Sequence, residues 1–274
     1  MDHDNCMTDA VSAALEAGAA ALEVYHQDFE VEEKSDHTPL TLADQRAHQI
    51  ISDRLRPLQI PILSEEGRDI PYEERKTWQR LWIVDPLDGT KEFVKKNGEF
   101  TINIALVENG RPVMGVVFVP VHDDLYFAAS GRGAFFTKGA SVPDPGMSDG
   151  VRNLMAASIR LPRAELVDRP YTIMGSRSHA SAELSAFVEQ QKQAHPDLEF
   201  ISAGSSLKFC LVAAGRADLY PRTGPTMEWD TAAGQAVVAQ AGGAVLEFES
   251  GKPLEYNKEN LRNPWFIVYR EGTT

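Results

Sequence analysis

The chain has 274 residues, 43% of them hydrophobic by type and 24% charged, and its 27 Lys and Arg against 40 Asp and Glu leave a formal net charge of −13. This length and apolar content fit one large domain or two fused ones and exclude disorder, collagen and coiled coil. The negative balance excludes a general nucleic-acid binder, because phosphate backbones are held by many Lys and Arg and no basic run exceeds Lys95-Lys96.

A small anionic substrate remains admissible, provided that local cations or a metal offset the carboxylates. Two cysteines, Cys6 and Cys210, are too few to staple a chain of this size and have no Cys or His companions at metal spacing, so they read as reduced thiols. The start, Met1-Asp2-His3-Asp4-Asn5, lacks the basic, apolar and small-residue order of a secretory signal, and no uncharged apolar stretch of about 18 residues occurs. The expectation is a cytoplasmic protein with no transmembrane segment.

Along the chain, Val11, Leu15, Ala19, Leu22 and Val24 recur at helical spacing and predict an amphipathic helix over Thr8 to Gln27, capped by Thr8 or Asp9. After a turn-like Ser35-Asp36-His37-Thr38-Pro39, a second helix is predicted from Thr41 to Leu55, with Asp44 in its first turn and Pro57 stopping it. Short apolar runs follow at Ile60-Leu63, Leu81-Val84, Thr101-Val107, Val113-Val119 and Leu125-Ala129, with Asn109-Gly110 as a hairpin turn. The Gly-, Pro-, Ser- and Asp-rich stretch Lys138 to Gly150 is the boundary candidate and divides the chain into 1–145 and 146–274.

Beyond it, strands at Tyr171-Met174, Leu198-Ile201, Asp218-Tyr220, Ala244-Phe248 and Trp265-Tyr269 alternate with helices at Ala182-Gln191, Ser205-Ala214 and Thr231-Ala241. The predicted class is α/β, with an α+β N-terminal half and an α/β C-terminal half.

Three junctions carry carboxylates. In Trp82-Ile83-Val84-Asp85-Pro86-Leu87-Asp88-Gly89-Thr90-Lys91, a strand ends in Asp85, Pro86 is expected to take the chain out of the ladder, and Asp88 follows three residues later. Gly89 permits a positive φ, and Thr90 is placed to cap a helix whose N–H groups face an anion. Paired carboxylates at a strand end suit a hard cation such as Mg²⁺ and phosphoryl chemistry, although Asp-Pro-x-Asp-Gly alone reads equally as a plain turn. Ile62-Leu63-Ser64-Glu65-Glu66-Gly67 and Glu228-Trp229-Asp230-Thr231-Ala232 set further acids at strand and helix ends. Taken singly these are a solvated Glu pair and a helix cap.

Together, Glu65-Glu66, Asp85-Pro86-Leu87-Asp88-Gly89-Thr90 and Trp229-Asp230-Thr231-Ala232-Ala233-Gly234 resemble the three signature segments of the Mg²⁺-dependent, lithium-sensitive inositol monophosphatase superfamily. The resemblance spans nearly the whole chain. Asp88-Gly89-Thr90-Lys91-Glu92-Phe93, Asn97-Gly98-Glu99-Phe100-Thr101 and Gly204-Ser205-Ser206-Leu207-Lys208-Phe209-Cys210 are similar to the CysQ-type 3'(2'),5'-bisphosphate nucleotidases within it. The resemblance implies a layered α-β-α-β-α sandwich with two or three Mg²⁺ per site and inhibition by Li⁺. It implies that Glu65, Asp85 and the Leu87 carbonyl hold one ion, that Asp85, Asp88 and Asp230 hold a second, and that Asp44 and Thr90 activate the water, with Glu65 counted among the catalytic groups.

The physical logic agrees. Two cations bridged by a carboxylate hold the scissile phosphate, lower the pKa of a water and offset charge on the attacking and leaving oxygens. Gly89 and Thr90 N–H groups at a helix start would bind the phosphate, and the resemblance implies that Glu65, Leu87, Asp88 and Asp230 join them around it. On the substrate side, Lys208 stands three residues after Ser205, so on a helix the hydroxyl and ammonium share a face. That pair is a cradle for a second phosphate or a routine cap beside a surface Lys. His179 in Gly175-Ser176-Arg177-Ser178-His179 and Arg222 in Tyr220-Pro221-Arg222 are similar to nucleotide-pocket segments, or are a helix-start residue and a surface ion pair.

The resemblance implies a phosphatase that removes the 3'-phosphate of adenosine 3',5'-bisphosphate, and acts also on phosphoadenylyl sulfate, in sulfur assimilation. An inositol or sugar phosphate phosphatase on the same fold is the alternative. A non-catalytic binding protein is the rival from another class. The expected partner is a small nucleotide bisphosphate and no nucleic-acid polymer. A monomer is favoured, and peripheral association with the cytoplasmic face of the inner membrane is left open.

Overall fold

The computed structural model describes residues 3–27, 31–33, 39–142, 150–163, 169–176, 182–270 and 272–273. Helix α1 (His3–Tyr25) begins five residues before the predicted Thr8. Its buried residues start at Asp4, which accepts from Arg132 and Arg152, and continue with Cys6 and Met7, so tertiary packing, not a polar cap at Thr8, sets where it begins. The short strands β1 (Val31–Glu33) and β2 (Pro39–Thr41) pair antiparallel and lead into α2 (Leu42–Leu55), which a single 3-10 turn, Arg56–Leu58, closes at Pro57.

The first sheet has seven strands in chain order: β3 (Ile62–Ser64), β4 (Arg80–Asp88), β5 (Thr101–Glu108), β6 (Arg111–Val119), β7 (Asp124–Ala129), β8 (Gly133–Lys138) and β9 (Ile159–Leu161). Only β3 and β4 run parallel. The short helices α3 (Tyr72–Arg75) and α4 (Thr90–Val94) lie before and after β4, and α5 (Gly150–Ala157) precedes β9. Asn109 and Gly110 both take positive φ, 49° and 74°, as the two-residue turn between β5 and β6 requires. Because β9 pairs with β8, the chain as far as Leu161 completes this first sheet. The pattern-based reading overlooked β8, β9 and α5, which are short and carry Gly or exposed residues.

The second sheet has the order β11-β10-β12-β14-β13, built from β10 (Thr172–Ser176), β11 (Glu199–Ala203), β12 (Leu219–Arg222), β13 (Ala244–Glu247) and β14 (Phe266–Tyr269). Its first three strands are mutually parallel, as strand–helix alternation demands, and β14 lies antiparallel between β12 and β13. Helices α6 (Ala182–Ala194), α7 (Leu207–Ala213) and α8 (Ala232–Gln240) belong to this half.

The layers follow from which faces are apolar. Cys6, Ala10, Val11 and Ala14 of α1 and Ile51 of α2 pack with Trp82, Ile104 and Val116 on one face of the first sheet. Phe209 and Val212 of α7 and Ala233 and Val237 of α8 fill the space between the opposite face and the second sheet. Phe187 and Val188 of α6 cover Ile173, Leu219 and Ile267 on the far side. The result is the expected α-β-α-β-α stack, in which α8, buried from Ala232 through Val238, approaches the first sheet at Gly115, where any Cβ would collide with the Ala233 carbonyl. Each large apolar side chain fully removed from water in these layers contributes about 1.5–3 kcal/mol.

Candidate active site

Strand β4 does not stop at Pro86. Asp85 pairs with Asn103 and Asp88 with Thr101, so three steps on β4 match two on β5 and one extra residue bulges out. Pro86 has no N–H for the ladder, and the bulge absorbs that loss while the strand continues to Asp88. The expectation that the strand ends in Asp85 is therefore corrected: Pro86 leaves the ladder only across the bulge, and the pairing resumes at Asp88. Leu87 N donates to Asp85 Oδ1 at 3.1 Å across the bulge, fixing the carboxylate against its own backbone.

Three carboxylates from distant parts of the chain meet here. Glu65 follows β3 and donates its N–H to the Val84 carbonyl at 3.2 Å, which pins it beside the end of β4. Asp230 ends a 3-10 turn, Glu228–Asp230, and its Oδ2 accepts from Met227 N at 2.8 Å. One oxygen each of Glu65, Asp85 and Asp230 lies within 4.8 Å of the others. Asp85 is 1% exposed; burial drives its carboxyl well above the usual carboxylate range, and Glu65, Asp88, Asp230 and Asp44 add to the rise. Burial and then Asp88 raise Asp230 in the same way. Oxygen donors gathered where their charges repel, around the buried Asp85 with Glu65 exposed at the rim, fit a hard divalent cation.

Asp88 is turned differently. Its Oδ2 accepts from Ser206 N at 2.6 Å and from Ser206 Oγ at 2.8 Å. The following Gly89 sits at φ +93°, and a Cβ there would run into Ser205 Oγ. Gly89, not Thr90, is the residue that precedes α4, so Thr90 is its first residue instead of its cap. Thr90 Oγ1 donates toward Asp44 Oδ2 over 3.5 Å, at the outer edge of hydrogen-bond range, and Asp44 is buried in the first turn of α2.

Beside these groups lies a cavity of about 110 Å³, lined among others by Asp88, Gly89, Ser205, Lys208, Arg222 and Asp230. Ser205 is not helical. It has φ 48°, α7 starts two residues later, and its hydroxyl donates to the carbonyls of Asp88 (3.0 Å) and Glu99 (2.6 Å). The shared helix face expected for Ser205 and Lys208 is thus replaced by a direct bond: Lys208 Nζ donates to Ser205 O at 2.6 Å and to Ala203 O at 3.2 Å.

Lys208 is buried, not on the surface, and its ammonium stands 5.3 Å from the centre of the Tyr220 ring. Burial pulls it down to about 8, with Arg222 acting in the same sense and Asp88 opposing. Arg222 Nη2 donates to Pro225 O at 3.0 Å. His179 lies outside the described residues.

Sequence reasoning overlooked Ser206, although it stands inside the quoted Gly204-Ser205-Ser206 string; nothing in that string says its hydroxyl and N–H both point at Asp88. It also overlooked Glu99, whose Oε2 accepts from Gly204 N at 2.8 Å, and His48, whose Nδ1 lies 2.9 Å from Ser64 Oγ, next to Glu65. His48 follows Asp44 by one helical turn, a spacing that offered the available signal.

The two stacked sheets and the acidic site between their layers define a class, and the sequence pattern of the inositol monophosphatase family matches residues 2–265. The chain belongs to the inositol monophosphatase family, whose members are metal-dependent. Among its relatives, the 3'(2'),5'-bisphosphate nucleotidase CysQ of Shigella flexneri is 48% identical over 261 residues, covering 93% of this chain and 96% of the relative. The protein of the same name in Escherichia coli K12 is 47% identical over the same shares. The crystal structure of CysQ from Bacteroides thetaiotaomicron, a bacterial member of the family, superposes with TM-score 0.88 at 47% identity, covering 97% of this chain and 96% of that one. Among the described residues no helix is long and apolar enough to cross a membrane.

Proposed function

We infer that this chain is a Mg²⁺-dependent phosphatase that hydrolyses the 3'-phosphate of adenosine 3',5'-bisphosphate to AMP and phosphate, acts also on the 3'-phosphate of phosphoadenylyl sulfate, and serves sulfur assimilation. The observation that carries this reading is the juxtaposition of the Glu65–Asp85–Asp230 cluster with a cavity that holds two cations, Lys208 and Arg222. The carboxylates suit the reacting phosphate and its metals; the cations suit a second phosphate. The names of the relatives that match over most of the chain support the same substrate class.

Glu65, Asp85, the Leu87 carbonyl, Asp88 and Asp230 would hold the Mg²⁺ ions, with Li⁺ as an inhibitor that competes for the same oxygens. When bound, the ions offset the charge on the phosphoryl oxygens and make a water more acidic. The chain supplies the rest. Asp44 holds the Thr90 hydroxyl, and that pair orients the attacking water and takes up its proton. Gly89 and Thr90 offer backbone N–H groups to the reacting phosphate, and Ser205, Lys208, Arg222 and His179 serve the nucleotide and its remaining phosphate. The metal-binding part corresponds to the first-sheet half, which runs to Leu161 and not only to residue 145, and the nucleotide part, which completes the metal site through Asp230, to the second-sheet half. We read the chain as a cytoplasmic monomer; the two buried free thiols fit a reducing compartment.

The test is phosphate release from adenosine 3',5'-bisphosphate and from inositol 1-phosphate, with and without Mg²⁺, for the wild type and Lys208→Ala. We expect Mg²⁺-dependent turnover that favours the bisphosphate and a preference that Lys208→Ala erases. Metal-independent turnover, or a dominant inositol phosphate activity indifferent to Lys208, overturns the reading.

A further inference from the structure

Asp230 ends a single 3-10 turn ahead of α8, and a second layer of buried charge supports that turn. Glu228, two residues earlier, is completely buried. Its Oε1 accepts from Lys258 N at 3.0 Å and Lys258 Nζ at 2.6 Å, and its Oε2 accepts from Asn257 N at 2.6 Å. Glu228 N donates to Leu261 O at 2.9 Å. Asn263 Nδ2 donates to Met227 O at 2.7 Å and to Thr231 Oγ1 at 3.0 Å. Segment 255–263 therefore wraps the turn 226–231 from outside.

That wrap is itself gripped from the other half of the chain. Arg75, 2% exposed at the end of α3, lies in the segment that runs from Glu65 to β4. Its guanidinium donates to Asn257 Oδ1 at 3.1 Å, to Lys258 O, and to Glu259 O at 2.8 Å, while Asn257 Nδ2 returns a bond to Arg75 O at 2.8 Å. A continuous path of hydrogen bonds joins the segment that begins with Glu65 to the turn that ends in Asp230: Arg75, then 257–259, then Glu228.

A buried charge paired in this way is a poor device for stability, because apolar side chains of the same volume usually stabilise as much or more. What the fork of an Arg and the fixed acceptors of a carboxylate do supply is geometry. Outer groups that orient metal ligands alter metal affinity without touching the ion.

We propose that Glu228 and Arg75 are positioning residues, which set the separation of Asp230 and Glu65 and so the affinity of the acidic site for its divalent cation. The inference rests on the metal-site reading above. Neither residue lines the cavity that receives substrate. Glu228→Gln keeps the volume and an acceptor but removes the charge that binds Lys258; Arg75→Met removes the fork.

The experiment titrates Mn²⁺ into the metal-stripped full chain without substrate and follows the free ion by electron paramagnetic resonance, for the wild type and both variants. We expect the variants to bind Mn²⁺ about 10- to 100-fold more weakly. At saturating Mg²⁺ we expect the KM for the bisphosphate to match that of the wild type. Variants that melt at lower temperature yet bind Mn²⁺ as the wild type does overturn the proposal, since a merely structural role predicts that pattern. If Glu228→Gln does not fold, Arg75→Lys, which keeps the buried charge and touches nothing in 226–231, decides alone: unchanged Mn²⁺ binding refutes the proposal. A wild-type chain that binds no Mn²⁺ disproves the metal site itself, a result distinct from variants that bind as the wild type does.

Discussion

Ser206 binds Asp88 twice, through its backbone N–H at 2.6 Å and its hydroxyl at 2.8 Å, both to the same carboxylate oxygen. Asp88 closes β4 in the first sheet and Ser206 immediately precedes α7, so this pair is one of the links that join the two halves at the site. The hydroxyl also lies 2.8 Å from the Asp230 carbonyl and accepts from Asn103 Nδ2 at 3.1 Å. Ser206→Ala removes one of the two bonds on Asp88 and leaves the buried Asn103 amide without that acceptor. We expect a stability loss of about 1–3 kcal/mol and a fall in kcat of about tenfold as Asp88 loosens. Chemical denaturation alongside steady-state kinetics measures both; wild-type kcat with lowered stability would restrict Ser206 to a structural role.

The Thr90–Asp44 pair predicts a different kinetic signature. Either Thr90→Ala or Asp44→Asn should lower kcat by about 10²- to 10⁴-fold, the usual contribution of a positioned acid–base group. KM should barely change, because neither residue lines the cavity beside Lys208. The double variant should be little worse than either single one, since the two act as a unit. Additive losses in the double variant would dissolve the pair.

The acidic cluster predicts how stability responds to pH and metal. Asp85 titrates near 3.8 in the unfolded chain and well above that when folded, chiefly through burial and then through Glu65. Between those two values the native state holds more protons than the unfolded state, so the metal-free protein loses stability as pH rises through that window and carries the full penalty above it. Asp85→Asn should therefore abolish activity and yet raise the melting temperature of the metal-free protein at neutral pH, by roughly 2–4 °C for each kcal/mol of repulsion removed. Added Mg²⁺ should raise the wild type and not the variant. Melting curves from acid to neutral pH, with and without Mg²⁺, check this; a destabilised metal-free Asp85→Asn contradicts it.

Lys208 provides the alkaline counterpart. Its ammonium titrates at about 8 in the fold against 10.5 when unfolded, with burial as the main cause. Across that window the unfolded chain holds more protons, so this group's penalty on stability diminishes as pH rises from about 8 to 10.5. Substrate binding should move the opposite way: KM for the bisphosphate should rise above about pH 8 as the charge proposed to hold the second phosphate is lost. Lys208→Met should raise KM at all pH values and remove that inflection. A wild-type KM flat through this range, or an inflection that survives in Lys208→Met, removes Lys208 from the phosphate cradle.

Much of the fold was legible because it rests on periodicity. Leu42–Leu55 was found almost to the residue, since Ile51 and Leu55 recur on a face that packs against the first sheet, and the Asn109-Gly110 hairpin followed from turn chemistry alone. Where packing overrides local signals, the reading erred. Helix α1 begins at His3 because Cys6 and Met7 are already core; β8 reads Gly-Ala-Phe-Phe-Thr-Lys with no period-2 alternation, and β9, three residues long, gains its order from β8.

By itself the sequence determined the alternation of elements and the types and order of the acids: Asp44, Glu65, Asp85, Asp88 and Asp230, each beside a Gly, Pro or helix start that local chemistry explains. Those are properties of short windows, which is why a single chain reveals them. Tertiary structure alone decided which of these carboxylates converge. It brought Glu65, Asp85 and Asp230 within 4.8 Å, turned Asp88 toward Ser206, and made Lys208 a buried ammonium bound to Ser205 O instead of its helical neighbour. It also tied Arg75 to Glu228 through a loop some 180 residues away in sequence. The physical reason is that charge and hydrogen-bond interactions act over a few ångströms of space, and only the packing of two sheets around α7 and α8 fixes which residues come that near.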